Sequence, residues 1–310
     1  MENIPPVILL VITMSAALGG TLIRKYHSNK YGGTASARYV YNAMTAIVSV
    51  ITIFIIATLD SGIESAITAS PFTILLATAF GMVTALHQIT VLKAFEVGPL
   101  SYTTVITSLS MLIPALSGAV IWGEHIAIVQ YVGIAFMVVC LVLSVNTSKG
   151  DADKRRASFK WLMLCAIAFV LQGLIGVMQK WHQKSEFKGE LNAFLIIAFA
   201  VAFVYSAIMI FFTVKKEKQT EEKPAYPFLK LLPLLIMAVA GLCVALNNVL
   251  NLYLSGVIES AIFFPLVNGG NLVLTALSAL VLFRERLTAR QWIGAASGVI
   301  SVLLLCNPFG

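Results

Sequence analysis

The 310 residues are 59% hydrophobic and only 11% charged, with a mean hydropathy of +0.90. This excludes an ordinary water-soluble globule, which carries about a quarter charged residues and could not hide so much apolar surface. The net charge of +7 does not point to nucleic acid, because the basic residues fall in polar stretches between apolar runs.

Ten apolar runs follow one another along the chain: 7–24, 37–59, 71–94, 100–122, 126–146, 159–180, 191–213, 228–253, 259–283 and 288–306. Each is close to the ~20 residues a helix needs to cross the hydrocarbon core. The runs are continuous rather than alternating, so they predict helices and not barrel strands. The expected fold class is an all-α membrane protein with ten transmembrane helices. Met1 to Pro6 lacks the positive charge of a signal peptide, so the first run reads as a retained span. It ends in "RKYHSNK" (24–30). The third run carries Thr84, His87 and Gln88. The fourth carries Thr107, Ser110 and Pro114. After the fifth comes the sharpest polar break near the middle, "SVNTSKGDADKRRASFK" (144–160). The sixth carries Gln172 and ends in "QKWHQKS" (179–185), a near-copy of the first ending. The eighth carries Asn247, Asn248 and Asn251. The ninth opens with Phe263, Phe264 and Pro265 and continues to Asn268 and Asn271. All four cysteines lie inside apolar runs and read as small packing residues. No metal motif, phosphate-cradling loop or nucleophile elbow is present, so neither a cofactor nor a metal is expected.

Placing the loops alternately on two sides puts 18 of the 21 Lys and Arg on one of them. Only Lys180, Lys184 and Lys188 fall on the other side, which also holds both termini. The positive-inside rule then puts both termini outside a bacterial-type inner membrane and residues 147–158 in the cytoplasm.

Residues 115–139 lie over residues 276–300 without a gap. Ala115, Leu116, Ser117, Val120, Glu124, Gln130, Gly133, Ala135 and Val138 match Ala276, Leu277, Ser278, Val281, Glu285, Gln291, Gly294, Ala296 and Val299. The chain therefore reads as two repeats, 1–147 and 159–310, joined by a charged linker over 148–158. "RKYH" and "QKWH" are the same place in the two copies. Because each copy has five spans, the second is inverted in the membrane. The favoured reading of Lys25-Tyr26-His27 and Lys180-Trp181-His182 is an interfacial anchor, with an amphipathic ring at headgroup level and a snorkelling Lys.

The stretch from Trp122 to Leu143 and its partner from Phe283 to Leu305 resemble the ends of two EamA domains. In that pattern a Glu follows the fourth span, and a Gln then a Gly open the fifth. Glu124, Gln130 and Gly133 match in the first copy, and Glu285, Gln291 and Gly294 in the second. The resemblance covers essentially the whole chain. It implies the drug/metabolite transporter superfamily, and hence two inverted five-helix EamA-like repeats around a central cavity. One departure is Arg284, which stands where a Gly usually precedes the second Glu. The first span also lacks the acidic residue of the small multidrug members, so their proton-coupled cation export does not carry over.

Polar residues deep in spans are costly and often mark pathways. Thr84 and His87, Asn248 and Asn251, Thr107 and Ser110, and Asn268 and Asn271 are each three apart, so each pair shares a helix face. The substrate candidates are therefore His87, Gln88, Thr107, Ser110, Gln172, Asn247, Asn248, Asn251, Asn268 and Asn271. Each can equally serve helix packing. Pro114, Phe264 and Pro265 are the gate or hinge candidates, since proline frees a backbone carbonyl and lets a helix bend. The function expected is secondary transport of a small polar or zwitterionic metabolite, an amino acid among the candidates, by alternating access and in the efflux direction. Rival readings are a non-transporting receptor or partner-binding subunit, a proton-coupled drug exporter and a membrane enzyme. The expected partners are the solute and membrane lipid, with self-association left open.

Overall fold

In the computed structural model, residues 4–31, 34–97, 100–143, 159–219, 231–282 and 289–305 are described. Over the described residues each apolar run is mainly helical. The helices are α1 (Pro6–Tyr31), α2 (Ala35–Ser61), α3 (Glu64–Ile67), α4 (Pro71–Val97), α5 (Leu100–Leu109), α6 (Leu112–Trp122), α7 (Ile128–Leu143), α8 (Phe159–Lys184), α9 (Leu191–Gln219), α10 (Leu231–Val257), α11 (Ser260–Leu282) and α12 (Ala289–Leu305). Six helical stretches, in α1, α2, α4, α8, α9 and α10, are long and apolar enough to cross a bilayer. Shorter apolar stretches occupy Ile106–Trp122, Ile128–Cys140 and Trp292–Leu305. The expected linker over 148–158, together with Arg284 and Glu285, lies outside the described residues.

The fourth run departs from a single helix, breaking at Ser110 and Met111. Pro114 explains the break: it has no N–H, and its ring crowds the carbonyl four residues back, that of Ser110. The Ser110 and Met111 N–H groups turn instead to the Thr107 and Ser108 carbonyls, 3.2 and 3.4 Å away and three residues back, the tighter 3₁₀ pattern. Pro265 is the sixth residue of α11 and leaves that helix unbroken, although it lies past the first four N–H groups and so forgoes the bond to the Ala261 carbonyl.

The chain divides into two compact units, one of Met1–Ala85 with His182–Tyr253, the other of Leu86–Trp181 with Leu254–Gly310. Each draws on both halves of the sequence. In the first, α2 packs along α9. Gly241 lets α10 approach α2, since a Cβ there would come 2.6 Å from Val48 Cβ, and Ser49 Oγ donates to the Gly241 carbonyl at 3.0 Å. Two carboxylates sit at helix starts, where exposed N–H groups and the helix dipole favour negative charge. Glu217 accepts from the Ser36 N–H (2.9 Å) and hydroxyl at the start of α2. Glu190 accepts from the Ser70 N–H (2.9 Å) and hydroxyl (2.8 Å) ahead of α4. Glu217 is buried, so Glu217→Ala removes an acceptor that water cannot readily replace. The expected loss is about 1–3 kcal/mol, checked by denaturant titration in mixed micelles.

In the second unit α7 packs along α12, and α6 along α11. Gly133 sets the first contact: its Cβ position lies 3.0 Å from Leu305 Cγ, and Ser301 Oγ donates to its carbonyl at 2.6 Å. Trp161 on α8 donates its indole N–H to Thr103 Oγ1 on α5 at 2.8 Å. The contacts inside each unit join chain ends that alternating loops would place on one side: Ser36 with Glu217, Ser70 with Glu190, and Arg290 with the Val142 carbonyl (3.0 Å).

Candidate functional site

Burying a polar atom without a partner costs stability, so each such atom calls for an explanation. Two of the sequence candidates in the second unit carry one. His87 Nε2 on α4 and Asn271 Oδ1 on α11 are buried and have no hydrogen-bond partner among the described residues. Thr84 Oγ1, one turn before His87, is in the same condition.

Other candidates are occupied. Thr107 Oγ1 donates to the Thr103 carbonyl at 3.0 Å, and Ser110 Oγ to the Thr107 carbonyl. Both hydroxyls are thus engaged around the α5–α6 break, and Ser110 is buried. Asn268 donates to the Phe264 carbonyl and Asn248 to the Val244 carbonyl, each at 2.9 Å within its own helix. Asn247 ties α10 to α1 through the Thr13 carbonyl at 3.1 Å. Gln88, Gln172 and Asn251 are half-buried. His87, Gln88, Thr107, Ser110, Gln172, Asn268 and Asn271 belong to the second unit, with Pro114, Phe264 and Pro265. Asn247, Asn248 and Asn251 belong to the first.

Two of the hinge candidates, Pro114 and Phe264, meet at α8. A Cβ on Gly176 of α8 would lie 2.7 Å from Pro114 Cγ and 3.0 Å from Phe264 Cε1. One turn earlier, a Cβ on Gly173 would collide with Ile113. The absence of side chains at these two positions lets α8 approach both the broken helix and the proline-bearing helix. Pro114 and Phe264 are buried. Gly173 and Gly176 escaped the sequence reading, although the spacing of small residues beside Gln172 is the signal that would have found them.

The second unit also holds a buried ion pair. Lys180 Nζ lies 2.6 Å from Glu124 Oε1, with side-chain exposures of 1% and 10%. Lys180 also donates to the Ile258 carbonyl at 2.9 Å. Glu124 Oε2 accepts from the Ser260 N–H at 2.7 Å, at the start of α11. The left-handed backbone of Gly123 (φ 65°) ends α6, and the Glu124 N–H returns to the Gly118 carbonyl at 3.1 Å. Gly118 itself leaves room for the carboxylate, since a Cβ there would strike Glu124 Oε2. Burial pushes the Glu124 carboxyl up, but the hydrogen bonds from Lys180 and Ser260 and the Lys180 charge outweigh it and hold the group below its ordinary 4.5.

This geometry corrects the anchor reading of Lys180. It is fully buried, not snorkelling, because Glu124 is there to neutralise it; its neighbour Trp181, 53% exposed, fits the anchor role. His182 is also buried, its ring 4.5 Å from that of Phe194. The three motif residues of the first copy acquire physical reasons. Glu124 caps α11, the buried Gln130 accepts from the Ala127 N–H at 2.9 Å ahead of α7, and Gly133 admits α12.

A family model described as sugar transport protein matches residues 12–308. No curated protein matches the chain. Among 28 matching solved chains, one crystal structure of a protein has a TM-score of 0.74 at 14% identity, covering 96% of this chain and 96% of that one. At that identity the likeness speaks for the fold alone. The apolar helices and the family match together make this a membrane transport protein by kinship. The chain belongs to the sugar transport protein family.

Proposed function

We propose that this protein carries a small uncharged polar solute, a sugar, across a bacterial-type inner membrane by alternating access. The observation that carries the substrate class is the pair of unpartnered buried atoms, His87 Nε2 and Asn271 Oδ1. An asparagine amide is uncharged, and a histidine imidazole has an uncharged form. An amide oxygen accepts, and an imidazole nitrogen accepts or donates according to its tautomer, which suits solute hydroxyls that do both. The family match supports a sugar over the amino acid that the sequence reading put among the candidates. His87, Asn271, Gln88, Gln172 and Asn268 are the proposed substrate contacts. Thr107 and Ser110 shape the broken helix beside them in sequence.

The mechanism proposed is an exchange of conformations between two inverted EamA-like repeats, 1–147 and 159–310, both termini lying outside and net movement outward. Its support is the pairing of repeat-equivalent helices: α2 with α9, α6 with α11, and α7 with α12. A twofold axis in the membrane plane produces such pairs. The α5–α6 break supplies the non-helical backbone that transporters use near solute sites.

Proteoliposomes loaded with a panel of sugars and, separately, amino acids test this. Sugar flux is expected, and His87→Ala and Asn271→Ala should each raise the half-saturating concentration roughly five- to thirtyfold, the equivalent of about 1–2 kcal/mol. Amino-acid flux with inert sugars would overturn the substrate class. Absence of flux with either panel would overturn transport.

A further inference from the structure

The first unit contains an apolar cleft that solute transport does not explain. Helices α1 and α10 run antiparallel, as their contacts show. Thr13 meets Asn247, and Cβ positions on Gly19 and Gly20 lie 3.6 and 3.7 Å from Cys243. The two helices are within van der Waals reach of each other there. Further along, Leu22, Ile23 and Tyr26 face Leu235, Ile236 and Val239 across a cleft of about 380 Å³. That volume is within the roughly 300–1,000 Å³ typical of small-ligand sites. Tyr26, Leu235 and Val239 are each about half exposed (48%, 52% and 47%), so the cleft opens outward rather than into the unit.

The cleft has a charged end. Leu22, Tyr26 and Lys30 are four apart and form one stripe on α1, running past Arg24, where the membrane-length apolar stretch ends. Lys30 Nζ donates to Tyr26 Oη at 3.2 Å and stands 5.5 and 5.6 Å from the Tyr26 and Tyr31 ring centroids. These contacts tie the exposed ammonium to Tyr26, which lines the cleft, and an ammonium has three donors. An apolar slot at acyl depth closed by a cation at headgroup depth matches one ligand chemistry.

We propose that this cleft binds an anionic phospholipid, one acyl chain lying between α1 and α10 and the phosphate resting on Lys30. The acyl chain is recognised by Leu22, Ile23, Leu235, Ile236 and Val239 through burial alone. The phosphate is recognised by the fixed ammonium and the Tyr26 hydroxyl. One basic residue near a membrane surface is worth about fivefold in affinity for an anionic lipid.

The purified full-length chain in mild detergent is mixed with equal amounts of phosphatidylglycerol and phosphatidylcholine of matched acyl chains, and retained lipid is counted by native mass spectrometry. Phosphatidylglycerol should be retained about fivefold over phosphatidylcholine. Lys30→Ala should bring the two to parity, while Lys30→Arg keeps the preference. Val239→Trp, at a half-exposed position where the fold tolerates bulk, should reduce retention of both lipids. Equal retention by the unaltered chain, or a preference unchanged in Lys30→Ala and Val239→Trp, overturns the site. Displacement by glycerol 3-phosphate alone would overturn the acyl component. None of these outcomes depends on solute flux, so the site stands or falls apart from the transport reading.

Discussion

Lys180→Ala is expected to destabilise the protein by about 3–5 kcal/mol, the range for stranding one member of a buried ion pair. Lys180 is the largest fully buried side chain among the described residues. Its removal leaves the Glu124 carboxylate, 10% exposed, held by the Ser260 N–H at 2.7 Å. It also frees the Ile258 carbonyl at the end of α10. Replacing both members, as in Lys180→Met with Glu124→Gln, should recover most of the loss, because no uncompensated charge remains. Denaturant titration in mixed micelles gives both values. A single-variant loss below about 1 kcal/mol would mean that the pair is not formed in the membrane.

The same pair carries a pH signature. Glu124 is held below its ordinary 4.5 in the folded protein. Its contribution is therefore fully present above about pH 4.5 and is lost as pH falls through the lower folded value. Lys180→Ala lacks this contribution, so the gap between it and the unaltered protein should close on acidification below pH 4.5. A gap constant from pH 7 to pH 3 would show that Lys180 acts through packing alone.

Gly176→Leu should abolish flux and cost about 1–3 kcal/mol or more through overpacking. Its Cβ alone would need Pro114 and Phe264, at 2.7 and 3.0 Å, to move, and a leucine adds three further carbons. Those neighbours belong to α6 and α11, so the substitution wedges α8 against the helix that follows the break in the fourth run. Gly176→Ala should be milder, since it adds one carbon rather than four, but Pro114, at 2.7 Å from that carbon, must still move. Flux in proteoliposomes, compared with folded fraction by gel filtration, separates a blocked transporter from an unfolded one. Normal flux in folded Gly176→Leu would remove the hinge role from Pro114 and Phe264.

The sequence by itself determined the helical membrane class, and the runs are mainly helix over the described residues, because lipid allows only helices or closed barrels and the continuous apolar pattern does not fit barrel strands. It also determined the bend in the fourth run, since Pro114 cannot donate an N–H wherever it is placed. The EamA-like pattern at Glu124, Gln130 and Gly133 leads to the expectation of a transporter, and the family shown is the sugar transport protein family. Only the tertiary structure decided what those residues touch. The lysine at 180 reads as an interfacial anchor until a carboxylate 56 positions earlier lies 2.6 Å away. Asn247 and Asn271 are the same residue type in similar apolar helices, yet one amide is bonded to the Thr13 carbonyl and the other keeps an unpartnered oxygen. Side-chain type sets which bonds a group is able to make. Whether they are made depends on neighbours from distant helices, which composition and periodicity along a single helix do not encode.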